Sequence, residues 1–346
     1  MSTSTYSAKV VNHKSKASMA QARLAWILLI PTIAVLVAVI IVPVFQSLYQ
    51  SLFGKAGLDP ETGFVSDTEP FVGLSNYTDI FTDAGSRFWN AAYNTTLFGV
   101  VTVILETVLG VSMALIMHKA MRGRGLVRAA ILVPWAIPTA VSGILWGWIF
   151  NQNGVANAIL GRHVMWASGD LSAKAAIIIA DVWKTAPYIG LLTLAGLQVI
   201  PDEVYEAAKI DGANAWKRFT RITLPLVKPA LVVAILFRTL DALRMFDLPY
   251  ILIGPRKGSV ETLSMLVQDE SSNSRYGSAA AYALILFLYV FVFAVAFLKI
   301  TNTDISGNDE ARRKRNERKL PVSAFFKRSG SSTPASQPAT ERSQQA

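Results

Sequence analysis

The segment Glu206-Ala-Ala-Lys-Ile-Asp-Gly212, followed after nine residues by Ile222-Thr-Leu-Pro225, is polar and charged yet lies between two long apolar runs. Its pattern is helical. Pro201 suits a first helical turn, and Asp202 and Glu203 follow where acids meet the positive end of the dipole. Val204, Ala207 and Ala208 make a small apolar face, and Gly212 closes the helix where φ can turn positive. Asp211 is placed to cap a second short helix whose apolar side is Trp216, Phe219 and Ile222, and Leu224-Pro225 is expected to stop it. The expected unit is a helix–turn–helix held outside the bilayer between two spans. Its small alanines let another protein approach closely, and Glu206 offers a carboxylate to an arginine across that contact. The plainer alternative is an amphipathic loop helix lying on lipid headgroups.

Outward from this segment, composition sets the class. The chain has 346 residues, 52% hydrophobic and only 16% charged, against about 25% charged in a soluble domain. The net charge of +10 raises nucleic acid as a partner, but the basic residues stand in short segments beside apolar runs, which is the signature of membrane orientation. No nucleic-acid partner is expected. Cysteine is absent, which excludes disulfides, thiol redox chemistry and cysteine-type zinc sites. His13, His118 and His163 share no metal-ligand spacing, so no metal site is expected. The first apolar run is too long for a signal peptide and lacks a small-residue cleavage site.

Six spans are expected, at residues 24–48, 92–118, 129–149, 173–197, 230–253 and 278–300, each long enough for a hydrocarbon core of about 30 Å. Pro31 and Pro43 are expected to kink the first, and Pro134 and Pro138 to break the third. Residues 1–23 read as a disordered, basic cytoplasmic tail. Residues 49–91 are acidic (Asp59, Glu61, Asp67, Glu69, Asp79, Asp83) and suit an external loop, as do residues 254–277. Residues 92–300 form the membrane core. Residues 301–346 begin basic (Arg312, Arg313, Lys314, Arg315) and become Ser/Thr/Pro/Gln-rich, a composition expected to be disordered in the cytoplasm and anchored by lipid. Lys119, Arg122, Arg124 and Arg128 after the second span, and Lys209, Lys217, Arg218, Arg221 and Lys228 around the opening segment, place both termini inside.

The spacing EAA, three residues, G, nine residues, I-x-LP resembles the cytoplasmic coupling loop of ABC importer permeases, and every fixed position is filled: Glu206, Ala207, Ala208, Gly212, Ile222, Leu224 and Pro225, with Asp211 beside the glycine. Phe71-Val-Gly-Leu-Ser-Asn-Tyr77 is similar to a recurrent segment of the sugar permeases. Val182-Trp-Lys-Thr-Ala-Pro-Tyr188 and Phe237-Arg-Thr-Leu-Asp-Ala-Leu-Arg-Met-Phe-Asp247 point to the disaccharide branch, of trehalose/maltose and α-glucoside type. The resemblance covers about residues 70–300. It implies an all-α membrane protein with six transmembrane helices, the type I ABC importer permease (MetI-like) fold, in the bacterial cell membrane.

The family implies a complex with a second homologous permease, two ABC ATPase subunits and an external solute-binding (lipo)protein. The sequence has no GxxxxGK[ST] phosphate loop, so ATP and Mg are expected on the partner ATPase and no cofactor on this chain. The permease itself is not an enzyme. ATPase closure would rock the spans between outward and inward access.

Resemblance to maltose-type permeases implies a midplane cavity lined by Trp135 and Thr139 on the third span, by Asp181, Lys184, Thr185 and Tyr188 on the fourth, and by Phe237, Leu240 and Asp241 on the fifth. Helical spacing adds Arg244 to the face of Phe237 and Asp241. Aromatic rings stack on sugars, and carboxylates and hydroxyls bond their hydroxyl rims. That family carries neutral groups where Asp181, Lys184 and Asp241 stand here. Ion pairs between the spans, such as Lys184 with Asp241, are the alternative role. Glycerol phosphate is the alternative solute. A membrane enzyme lacks a catalytic cluster in this sequence, and a channel has no need of an ATPase-docking loop.

Overall fold

Every continuous element among the described residues is a helix, because apolar chain in lipid must close its backbone hydrogen bonds within itself. The architecture comes from a computed structural model that describes residues 16–55, 57, 69–82, 84–119 and 122–301. The chain separates into residues 1–296 and 297–346. Of the second part only residues 297–301 are described, a helical end in which Thr301 donates to Phe297 O at 2.9 Å. Residues 1–15 and 302–346 of the expected tails, and Asp59, Glu61, Asp67 and Asp83, lie outside the described residues.

In order, α1 (Lys16–Leu36) passes through a π turn at Val37–Ile41 into α2 (Val42–Gln50). Helices α3 (Ser75–Phe81) and α4 (Gly85–His118) follow, then α5 (Arg124–Ala136), α6 (Thr139–Ile149), α7 (Val155–Leu160) and α8 (Asp170–Leu197). The opening segment forms α9 (Asp202–Ile210), α10 (Ala215–Arg218) and a second π turn, Phe219–Thr223, that runs into α11 (Leu224–Ala242). Helices α12 (Asp247–Leu252), α13 (Leu263–Ser272) and α14 (Tyr276–Thr301) complete the chain.

Among the described residues five helical stretches are long and apolar enough to cross a membrane: Arg23–Gln50, Gly85–His118, Asp170–Leu197, Ala215–Ala242 and Tyr276–Thr301. The bent pair α5–α6, turning through 95° at Ile137–Pro138, makes a sixth when counted as one broken span. The break has two causes. Pro138 has no N–H to continue the ladder, and Ile137 before it is extended at φ −75°, ψ 133°.

Several expected boundaries move. Residues 16–23, read as tail, are helical, and α4 begins at Gly85 inside the expected external loop. The loop expected at 254–277 contains α13. The largest correction is the fifth span, which runs over Ala215–Ala242 rather than 230–253. Pro225 does not stop the helix, because the π turn just before it widens the ladder: Leu224 N reaches back five residues to Phe219 O. The carbonyl four residues behind the proline is thereby relieved of its clash with the ring. Pro43 follows its own π turn in the same way, with Val42 N on Val37 O, so the first span stays continuous. At the far end Arg244 Nε donates to Leu240 O at 3.1 Å, occupying a carbonyl of the last turn of α11.

The centre of the molecule is the packing of α4, α8 and α11. Gly110 and Gly190 let α4 and α8 touch through backbone. A Cβ on Gly110 would stand 2.8 Å from Ile189 Cβ and 2.9 Å from Ala186 O. Small residues at such a crossing supply van der Waals contact where lipid removes the hydrophobic drive between helices. The segment before α13 docks on the start of α4: Asn94 Nδ2 donates to Gly258 O (2.8 Å) and Glu261 O (3.0 Å). Arg87 grips Glu261 through Nε and Nη2 (2.9 and 2.6 Å) and reaches Asp269 at 2.8 Å. The Asp269 carboxyl is partly buried, which works against ionisation, yet hydrogen bonds from Arg87 and Arg256 hold it below its ordinary value. The apolar stretches of the first span and of the last, Tyr276–Thr301, are left uncovered by the rest of the chain, whereas those of α4, α8 and Ala215–Ala242 are partly buried.

Candidate functional site

The coupling segment is built as its residues dictate, with one change of cap. Pro201 is extended at the N-cap of α9, and Asp202 and Glu203 fill the first turn. Gly212 has φ +73° with nothing within 4 Å of a would-be Cβ, so the backbone turn alone demands glycine there. Asn214, not Asp211, caps α10, its side chain accepting from Lys217 N at 2.8 Å. Asp211 is instead the C-cap of α9, where its side chain has no free helix N–H to meet.

Ala208 is buried, while Glu206, Ala207, Asp211 and Leu224 are exposed and Ile222 is half-buried. Glu206 and Ala207 lie on the open side of α9. The loop is fastened beneath. Tyr205 packs on the cluster of Ala114, Met117, Leu194, Leu197, Ile200 and Val227, and Thr223 Oγ1 donates to Tyr205 OH at 3.3 Å. Arg218 Nη1 donates to Ala213 O at 2.8 Å, closing the turn between the two helices. Packed side chains thus tie α9 to α4, α8 and α11.

At mid-depth the three central helices share a buried ion network that sequence reasoning missed. Arg238 on α11, 3% exposed, donates Nε and Nη2 to the two oxygens of Glu106 on α4 (2.6 and 3.0 Å). The same Nη2 bonds Asp181 on α8, and Nη1 bonds Asp241 at 3.0 Å. The planar guanidinium has five donors in a fixed fork, which suits this threefold engagement as no ammonium could. Thr185 donates to Glu106 and to Asp181 O.

These contacts correct the sequence reading. The inter-span ion pairs exist, but Arg238 makes them and the expected Lys184–Asp241 pair is not formed. Lys184 is half-buried and makes no ion pair among the described residues. Asp181 and Thr185 turn into the helix interior rather than to an open face. One oxygen of Asp241 is held by Arg238, while its side chain is 70% exposed.

Trp135 and Tyr188 come together, ring centroids 5.7 Å apart at 34°, and join α5 to α8. Phe237 is exposed one turn before Asp241, and Arg244 is exposed beyond the helix end. Leu240 and Thr139 are half-buried. The arrangement offers aromatic faces and one anchored, solvent-facing carboxylate, a chemistry for polar neutral solutes.

Known proteins place this architecture. The sequence matches the family described as binding-protein-dependent transport system inner membrane component over residues 106–300. It is 41% identical over 295 residues to the trehalose/maltose transport system permease protein MalF of Thermococcus litoralis, covering 84% of this chain and 97% of the relative. It is 39% identical over 277 residues to the trehalose transport system permease protein SugA of Mycobacterium tuberculosis, covering 79% and 87%. A crystal structure of a bacterial ABC transporter that imports the acidic polysaccharide alginate shares the fold, with TM-score 0.70 at 19% identity, covering 84% of this chain and 99% of that one. The chain therefore belongs to the binding-protein-dependent transport system inner membrane components, as a multi-pass permease subunit of an ABC importer.

Proposed function

We propose that this permease carries a disaccharide of the trehalose or maltose class into the cytoplasm. A pair of ATPase subunits docks on α9 and α10 and holds the ATP and Mg, a second homologous permease completes the pathway, and an external solute-binding protein delivers the sugar. Both termini face the cytoplasm, as the lysines and arginines around α9 to α11 require. The observation that carries the substrate reading is the Trp135–Tyr188 ring pair together with the Asp241 carboxylate, fixed by Arg238 but open to solvent. Rings stack on sugar faces, and an ionised acceptor bonds hydroxyls more strongly than a neutral one. The names of the trehalose and maltose relatives support the same class.

Uptake of labelled trehalose and maltose by the reconstituted complex with its binding protein tests this. Transport of either, abolished without ATP, is expected; binding-protein-dependent uptake of glycerol phosphate with neither sugar transported would overturn the substrate class. Cysteine labelling tests the topology. Sites at Asp67, His163 and Lys257 are expected to react from outside, and sites at Arg124 and Lys217 only from inside. External reaction at Lys217 would remove the coupling role of α9 and α10.

A further inference from the structure

A groove of about 1160 Å³ opens between α4, the coupling helices and the start of α11. It lies away from the sugar-facing residues, since Phe237 sits roughly 120° round α11 from Leu231. Its long wall is apolar, made by Val108, Val111 and Leu115 of α4 and by Leu224 and Leu231 of α11. Its other end is basic, with His118, Lys119, Lys209 and Arg218 at the rim beside Trp216. Asp202 is the one acid on the lining. Lys119 and Lys209 have no carboxylate partner among the described residues. Arg218 commits one nitrogen, Nη1, to Ala213 O.

Size, depth and charge point to one occupant. The volume exceeds the roughly 300–1,000 Å³ of ordinary small-molecule pockets. From Thr107 to Lys119 the wall rises about 18 Å at 1.5 Å per residue, close to one leaflet of a hydrocarbon core of about 30 Å. The basic rim thus stands at the depth of inner-leaflet headgroups, where lysine and arginine clusters attract anionic lipid. We infer that the groove binds one anionic phospholipid of the cytoplasmic leaflet, its phosphate on Lys119, Lys209 and Arg218 and an acyl chain along Val111 and Leu115. A lipid held there is wedged between α4 and the coupling helices, and so bears on the transmission of motion between them. The assignment of leaflet rests on the topology proposed above; the site itself rests on the groove.

The test uses the whole importer complex in nanodiscs containing a trace of photoactivatable phosphatidylglycerol, with labelled peptides mapped by mass spectrometry. Labelling is read on the idle complex, so it does not depend on whether any sugar is carried or on which side the loop lies. Label is expected in residues 107–119 and 215–224, competed by unlabelled phosphatidylglycerol and not by phosphatidylcholine. Lys119→Gln with Lys209→Gln is expected to cut it by about tenfold or more, as loss of two cationic contacts to an anionic surface implies. Leu115→Trp, which fills the wall and keeps both lysines, is expected to reduce it at unchanged complex yield. Equal competition by phosphatidylcholine, or full labelling in the double-glutamine variant, would overturn the site. So would a disulfide-length cross-link from Val111→Cys to a helix of the second permease, because that helix would then occupy the groove.

Discussion

Replacing Arg238 by methionine tests the central network. Methionine keeps much of the side chain's length and loses the charge. Arg238 is 3% exposed, and Glu106 and Asp181, which it serves, are 0% and 6% exposed. Without the guanidinium two carboxylates face each other in the dry interior with Thr185 as the nearby donor. Removing one member of a buried pair costs about 3–5 kcal/mol, a large share of a total stability of about 5–15 kcal/mol. At 1.4 kcal/mol per decade this is roughly a hundredfold or more in the folded-to-unfolded ratio. The expected result is a sharp loss of complex in the membrane and a lower midpoint for thermal disassembly of the solubilised complex, followed by size-exclusion chromatography. Adding Glu106→Gln and Asp181→Asn neutralises the orphaned acids and is expected to regain most of the loss. Wild-type yield and midpoint for Arg238→Met alone would refute the reasoning, for the network would then contribute nothing net.

Asp241→Asn is expected to leave assembly nearly unchanged, since that side chain is mostly exposed, while uptake falls by up to about tenfold for a weakened charge-assisted hydrogen bond. A yield loss rescued by Lys184→Met would reverse this assignment. Gly212→Val forces a β-branched residue to φ +73° and is expected to cost about 1–2 kcal/mol in the turn; with Glu206→Lys it should insert normally yet lose sugar-stimulated ATP hydrolysis, and intact stimulation in either would detach that residue from coupling. On α13 Asp269 has a lowered folded pKa, so its contribution is present above the unfolded value of about 3.9 and is lost as pH falls through the folded one. Melting of the complex should therefore lose this contribution only below about pH 4, and Asp269→Asn should flatten that limb of the curve; an unchanged acid limb would argue against the Arg87–Asp269 contact.

The helix–turn–helix was legible because its signals are local: Pro201 at its start, a small-residue face and a glycine at the turn all fall within one short segment, although the cap of its second helix falls on Asn214 rather than Asp211. The spans were legible as apolar runs, but their ends were not. Pro225 and Pro43 obeyed the usual steric rule only after a π turn had moved the offending carbonyl, and a widened turn leaves no mark in the residue types around it. Glu106 was visible as a lone acid inside an apolar run, which is itself a warning of an interior partner. That partner is 132 residues away, and only the packing of α11 against α4 brings the two together. The nearby Lys184 looked the better match for Asp241 on charge alone, whereas the fork geometry of arginine decided the pairing.

The unbroken run from Ala215 to Ala242 has a mechanical consequence. Asp241 stands about 39 Å from Ala215 along that rod at 1.5 Å per residue. Pivoting at the coupling end by about 5° would sweep the carboxylate through roughly 3 Å, about the length of one hydrogen bond. The π turn keeps this arm whole where a proline would otherwise have cut it in two. Arg238 bolts α4 and α8 to the same arm. A rotation of a few degrees at Ala215 is thus geared up into a displacement of about one hydrogen-bond length at Asp241.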